Sequence, residues 1–140
     1  KLQFDQQIVT YSGAFYRGAS LDDTTFDLVV VPAAGVSLQE AEDAMDKALA
    51  DFMETGVDAE QLDRIKLQIR ANQIYARDDA DSVANRYGQA LAIGLSVEDV
   101  QNWPDVLEAV TADDIMAAAR SVFDKRQSVT GWLMKPEVTQ

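Results

Sequence analysis

The chain has no histidine, and that one gap removes the commonest general base and the commonest metal ligand together. It has no cysteine either, so disulfides and thiolate metal sites are excluded while the redox compartment stays open. Basic residues are scarce. Only 12 Lys and Arg stand against 24 Asp and Glu, a net charge of −12. Such a field repels nucleic-acid phosphates and anionic lipid headgroups and favours basic peptides or a basic partner surface. Long hydrophobic runs are missing too. The longest, residues 28–36, is broken by Pro32 and falls far short of the ~20 residues that cross a bilayer as a helix. No signal peptide is visible. The chain opens at Lys1 without a methionine, in what reads as mid-element, and the expectation is that upstream chain carries any address.

What is present is a globular composition: 140 residues, 47% hydrophobic and 26% charged, enough for one domain with a real core. Residues 7–16 alternate, with Val9, Tyr11, Gly13 and Phe15 on one face, the period of a strand. Residues 17–23 form a turn, and a second strand over 24–31 puts Phe26, Leu28 and Val30 on one side. The link is too short for a parallel crossover, which predicts an antiparallel hairpin. Ser37 with Glu40 reads as a capping box opening a helix whose stripe is Leu38, Ala41, Met45 and Phe52. Gly56 ends that helix and Asp58 caps the next, predicting two helices folded back on one another. The second turns Leu62, Ile65 and Ile69 inward and Lys66 outward; a third, over 79–93, buries Val83, Tyr87 and Leu91. Ser96 with Asp99 predicts a short helix to Asn102, and Trp103-Pro104 starts a fresh turn. Thr111 with Asp114 caps a last helix with Ile115, Ala118 or Ala119, and Val122 inward. Residues 127–134 alternate as a closing strand, and 135–140 read as a frayed tail.

Chemistry is harder to find. Glu40, Glu42, Asp43 and Asp46 could offer oxygens to a hard cation, but the twelve-residue loop with its central glycine is absent and the face reads as solvated surface. Asp78, Asp79 and Asp81 are explained by helix capping. Gly13 and Gly18 do not form a phosphate-cradling loop before a helix, and Ser12 and Thr130 lack a histidine partner for nucleophilic attack. No metal-binding or catalytic residue is assigned. Tyr11, Tyr16 and Arg17, on or beside the first strand, are the candidate ligand contacts, set against the ordinary role of strand aromatics in packing.

Taken in order, Asp5-Gln6-Gln7-Ile8-Val9 and Gly13-Ala14-Phe15-Tyr16-Arg17-Gly18 resemble a strand of the bacterial zinc proteases of the pitrilysin and mitochondrial processing peptidase family. Phe26-Asp27-Leu28-Val29-Val30-Val31-Pro32 is similar to the strand that follows it. Residues 56–66, then 94–100 with Trp103, then 109–115, continue the resemblance over nearly the whole chain. The family implies two homologous α+β domains closing like a clamshell around peptides. One half carries zinc through His-x-x-Glu-His and a downstream glutamate, and the glutamate between the histidines activates the attacking water. Lacking histidine, this chain resembles the later part of the metal-free, inactive half of a bacterial member.

The resemblance therefore implies one α+β domain over 1–140, incomplete at its N-terminus. Its antiparallel sheet would be covered on one face by helices in the order β-β-α-α-α-α-α-β, a processing-peptidase/LuxS-like two-layer fold. It implies no catalysis and no cofactor in this chain. Zinc belongs to a partner half, a homologous domain or subunit, with peptides, basic ones best suiting the charge, as substrates. It implies a periplasmic location if the source is Gram-negative. The metal-free half often lends substrate an arginine and, seven residues on, a tyrosine. Aligned on Asp5-Gln6, those positions hold Leu2 and Val9, so the grip would have to pass to Tyr11 or Tyr16. An unpaired sheet edge would allow a homodimer. A reading from another class is a stand-alone acidic interaction or scaffold module without a proteolytic role. A third, an enzyme using carboxylates, requires a buried acid pair.

Overall fold

Val9–Tyr16 (β1) and Phe26–Pro32 (β2) pair antiparallel in this computed structural model, which describes residues 1–18 and 20–134 apart from the Arg77 side chain. The frayed tail expected over 135–140 lies outside the described residues. Tyr11 opposes Val31, Gly13 opposes Val29 and Phe15 opposes Asp27, yet Val9 opposes Pro32. Thr10 is thus an extra residue on β1, a bulge. It reverses one expectation. Val9, read as sharing a face with Tyr11, turns into the core at 2% exposure, while Tyr11 stays 46% exposed. Strict alternation cannot reveal a bulge, because the extra residue leaves the polar–apolar pattern intact.

Five α-helices follow: Leu38–Thr55 (α1), Ala59–Tyr75 (α2), Ala80–Ala92 (α3), Val97–Ala109 (α4) and Ala112–Val122 (α5), with 3-10 turns at Ala76–Asp78 and Lys125–Gln127. The class is α+β. All three anticipated capping boxes form, Ser37 with Glu40, Ser96 with Asp99 and Thr111 with Asp114. Each satisfies two donors at a helix start. Asp58 and Asp79 cap α2 and α3. Gly56 and Gly94 take φ of +79° and +88°, values that exclude most L side chains, and they redirect the chain after α1 and α3.

Packing departs from expectation in several places. α1 lies on β2 and against α5, whereas α2 packs mainly on α4 instead of folding back on α1. Pro104 does not open a new helix but sits inside a continuous α4; the helix opened by the Ser96–Asp99 box runs on past the N–H that proline lacks about two turns later. The buried position of α3 is Ala90, not Leu91, and those of α5 are Met116 and Ala119. Of residues 127–134, anticipated as the closing strand, Gln127 ends the second 3-10 turn and 128–134 find no ladder partner among the described residues. Among the described residues, Val9, Ala41, Ala90, Met116 and Ala119 form the buried apolar core, and no large side chain falls below 2% exposure. A compact protein of 15.4 kDa exposes about 7,200 Å². This chain exposes 11251 Å². Among the described residues no helix is long and apolar enough to cross a membrane.

Candidate functional site

The bulge at Thr10 sets what the outer face of the hairpin presents. Beyond it, Tyr11, Gly13 and Phe15 of β1 stand opposite Val31, Val29 and Asp27 of β2, on the face turned away from α1. Gly13 has a purpose here: a Cβ at that position would lie 2.6 Å from the Tyr11 hydroxyl and 3.0 Å from the Phe15 ring, so both rings close over bare backbone. Arg17 extends the same face and reaches Asp27 at 3.4 Å. Tyr16 does not join them. By strand alternation it lies on the opposite side, across from Phe26, with its ring over Gly18. Of the three residues singled out in sequence, Tyr11 and Arg17 lie on the same face but at opposite ends of the strand, and Tyr16 lies on the other face. Phe15, with Val29 and Val31, completes an exposed apolar patch that the sequence reading did not single out.

The acidic face of α1 is not simply solvated. Glu40 closes the capping box, Asp43 accepts from Gln39 at 2.9 Å, Glu42 accepts the Trp132 indole N–H at 2.8 Å, and Asp46 pairs with Lys125. Glu42 and Asp46, one helical turn apart, pin the chain that follows α5 against α1. Lys66, expected outward, donates to the Glu108 carbonyl at 2.7 Å, satisfying the end of α4 where the helix dipole favours a cation. Among the described residues no three acidic side chains gather in a way that could hold a metal. With neither imidazole nor thiolate in the sequence, the donors do not fit a zinc site.

The titrating groups tell the same story. Ser37 and Ser96 donate backbone N–H and then hydroxyl hydrogen bonds that hold Glu40 and Asp99 below their ordinary values. For Asp114 and Asp79 the hydroxyls of Thr111 and Ser82 act first, in the same direction. The Arg126 guanidinium holds Asp124 down, and Asp46 raises Lys125. Each carboxylate that moves does so toward the stabilised anion, the opposite of a general acid. Among the described residues, two open grooves stand out. A cleft of about 280 Å³ separates the inner sheet face, at Leu28 and Val30, from Met45 and Leu49 of α1. A larger one, about 520 Å³, lies between α2 and α4 along Ile65, Ile69 and Leu107.

No family model matches the sequence, and no curated protein matches it. The fold does have a counterpart. A solved structure described as a protease from Helicobacter pylori superposes with a TM-score of 0.81 at 14% identity, covering 91% of this chain and 30% of that one. The chain has the fold of part of a protease. At that identity the likeness shows the fold alone, and the chain spans less than a third of its counterpart's length.

Proposed function

We propose that this chain is a non-catalytic part of a zinc peptidase of the pitrilysin and processing peptidase type, forming a wall of the peptide chamber and docking against a zinc-bearing half. The observation that carries this reading is the fold shared with a protease segment in a chain whose composition holds no histidine or cysteine. The outer hairpin face is the surface that meets peptide. Tyr11 and Phe15 supply apolar contact and Arg17 a polar end. The positions that the family gives to its gripping pair are filled by Leu2 and by Val9, which is buried at 2% exposure and touches no substrate. The charge of −12 draws basic peptides in, and their capture weakens with salt.

The test is to mix the chain with a zinc-bearing subunit, carrying His-x-x-Glu-His, from the same genome and to follow cleavage of a basic fluorogenic peptide. Complex formation with an increased rate supports the proposal. An unchanged rate and no complex discard it, and leave the acidic interaction module as the better description.

A further inference from the structure

The outer face of the hairpin is poor in acid for a protein of this charge. The chain holds 24 Asp and Glu, yet among the paired outer positions of β1 and β2 only Asp27 is acidic, and Arg17 neutralises it at 3.4 Å. The other positions are Tyr11, Gly13 and Phe15 on β1 and Val29 and Val31 on β2. A basic side chain drawn in by the charge of −12 therefore lands where the one carboxylate is already taken. What it meets instead is a pair of rings. Gly13 lets them converge: its missing Cβ would lie 2.6 Å from the Tyr11 hydroxyl and 3.0 and 3.1 Å from Cε2 and Cζ of Phe15. The tips of both rings thus meet over bare backbone, while Tyr11 and Phe15 stay 46% and 49% exposed. Val29, the partner of Gly13 across the ladder, lies beside that convergence and offers apolar surface to the methylene stem of a long side chain.

We infer that Tyr11 and Phe15, joined over Gly13, hold the guanidinium of a substrate arginine by stacking, with its stem along Val29, and so select arginine over lysine at one position of the peptide. The inference rests on the reading above that peptide meets this face. An aromatic ring attracts a cation through its quadrupole, and a planar, weakly hydrated guanidinium lies on a ring face more readily than a compact, strongly hydrated ammonium. A pocket built on a free carboxylate would accept either cation, and this face does not supply one. Discrimination at a half-exposed aromatic site is about two- to fivefold. That is enough to rank peptides of equal charge, which the long-range field of the protein cannot do.

The probes are synthetic peptides of about ten residues, a strand's length, with lysines at both ends and arginine, lysine or norleucine at the centre. The norleucine peptide carries an extra terminal lysine, so that all have equal charge. Each is titrated at low salt into isotope-labelled chain, and amides of β1 and β2 are expected to shift. The arginine peptide should bind about two- to fivefold tighter than the lysine and norleucine peptides. Phe15→Leu keeps the patch apolar but removes a ring, and should bring arginine down to the level of lysine. Phe15→Trp should widen the gap, since indole is the strongest cation acceptor, and a gain of that kind cannot come from misfolding. Tyr16→Leu, on the opposite face, should leave the preference unchanged. Shifts at these amides with equal affinities, tightest binding of norleucine, or a preference that survives Phe15→Leu would overturn the inference while leaving this face as the peptide surface. Shifts confined to other elements, or none, would overturn that reading of the face and the inference with it.

Discussion

Separating this chain from whatever covers it should leave a protein that is helical but loosely closed, and the extent can be worked out. An unfolded chain of 15.4 kDa exposes about 22,000 Å² and a compact one about 7,200 Å². Folded at 11251 Å², this chain buries about 11,000 Å² where a compact protein buries about 15,000 Å², roughly a quarter less. The urea dependence of unfolding scales with the surface exposed. Its slope should therefore lie about a quarter below that of a compact protein of equal length. Buried side chains are mostly small, so packing in the aromatic region is weak. Strong far-UV signal, faint near-UV signal and binding of an apolar dye are expected at neutral pH, the observables of a loosely packed state. Urea titrations followed by circular dichroism and by Trp103 and Trp132 fluorescence test this. A single coincident transition with the full slope, and no dye binding, would show that the open faces close on themselves in solution, and the reasoning from exposed area would fail.

Five further outcomes are expected. Val9→Ala removes two buried methyl groups beneath the bulge and should cost about 2 kcal/mol, read as a shift in urea midpoint; a surface-like loss of a few tenths would place Val9 outside the core. Thr111→Ala should destabilise by about 1 kcal/mol through loss of the α5 cap. The capping carboxylates Glu40, Asp99 and Asp114 have folded pKa values below their ordinary 4.5, 3.8 and 3.8. Their contribution is complete above those ordinary values and is lost as pH falls through the lower folded ones. Helicity should hold from neutrality down to about pH 5 and fall in the acid range below about 4, with a shallower fall in Thr111→Ala. Glu42→Ala in a Trp103→Phe background should raise acrylamide quenching of Trp132, and unchanged quenching would mean that the indole bond to Glu42 does not hold the segment. In the complex with a zinc-bearing subunit proposed above, Tyr11→Ala should raise KM roughly fivefold, about 1 kcal/mol, with kcat nearly constant, while Tyr16→Ala should not; equal effects would undo the assignment of substrate to the outer face.

Local signals were legible in this sequence because each is settled within a few residues. Ser37 with Glu40, Ser96 with Asp99 and Thr111 with Asp114 satisfy backbone donors within one turn, and Gly56 and Gly94 adopt a backbone conformation closed to most other residues. What was not legible depends on contacts between distant segments. The bulge at Thr10 leaves alternation intact while turning Val9 inward. Glu42 and Asp46 read as solvent-facing acids until Trp132 and Lys125, far along the chain, are set beside them. Lys66 read as an outward cation until α4 ended against it. The missed stripes share a further cause. Leu91 and Val122 are more apolar than Ala90 and Ala119, yet it is the alanines that are buried, because close helix approach selects small residues when large ones have no deep layer to fill. A sequence whose larger apolar residues remain on the surface while its alanines are enclosed is patterned for a core wider than these elements build. The apolar periodicity that placed β1, β2 and the helices fails at 127–134 for the same reason: Val129 and Leu133 alternate as strand residues, yet among the described residues no ladder forms to enclose them.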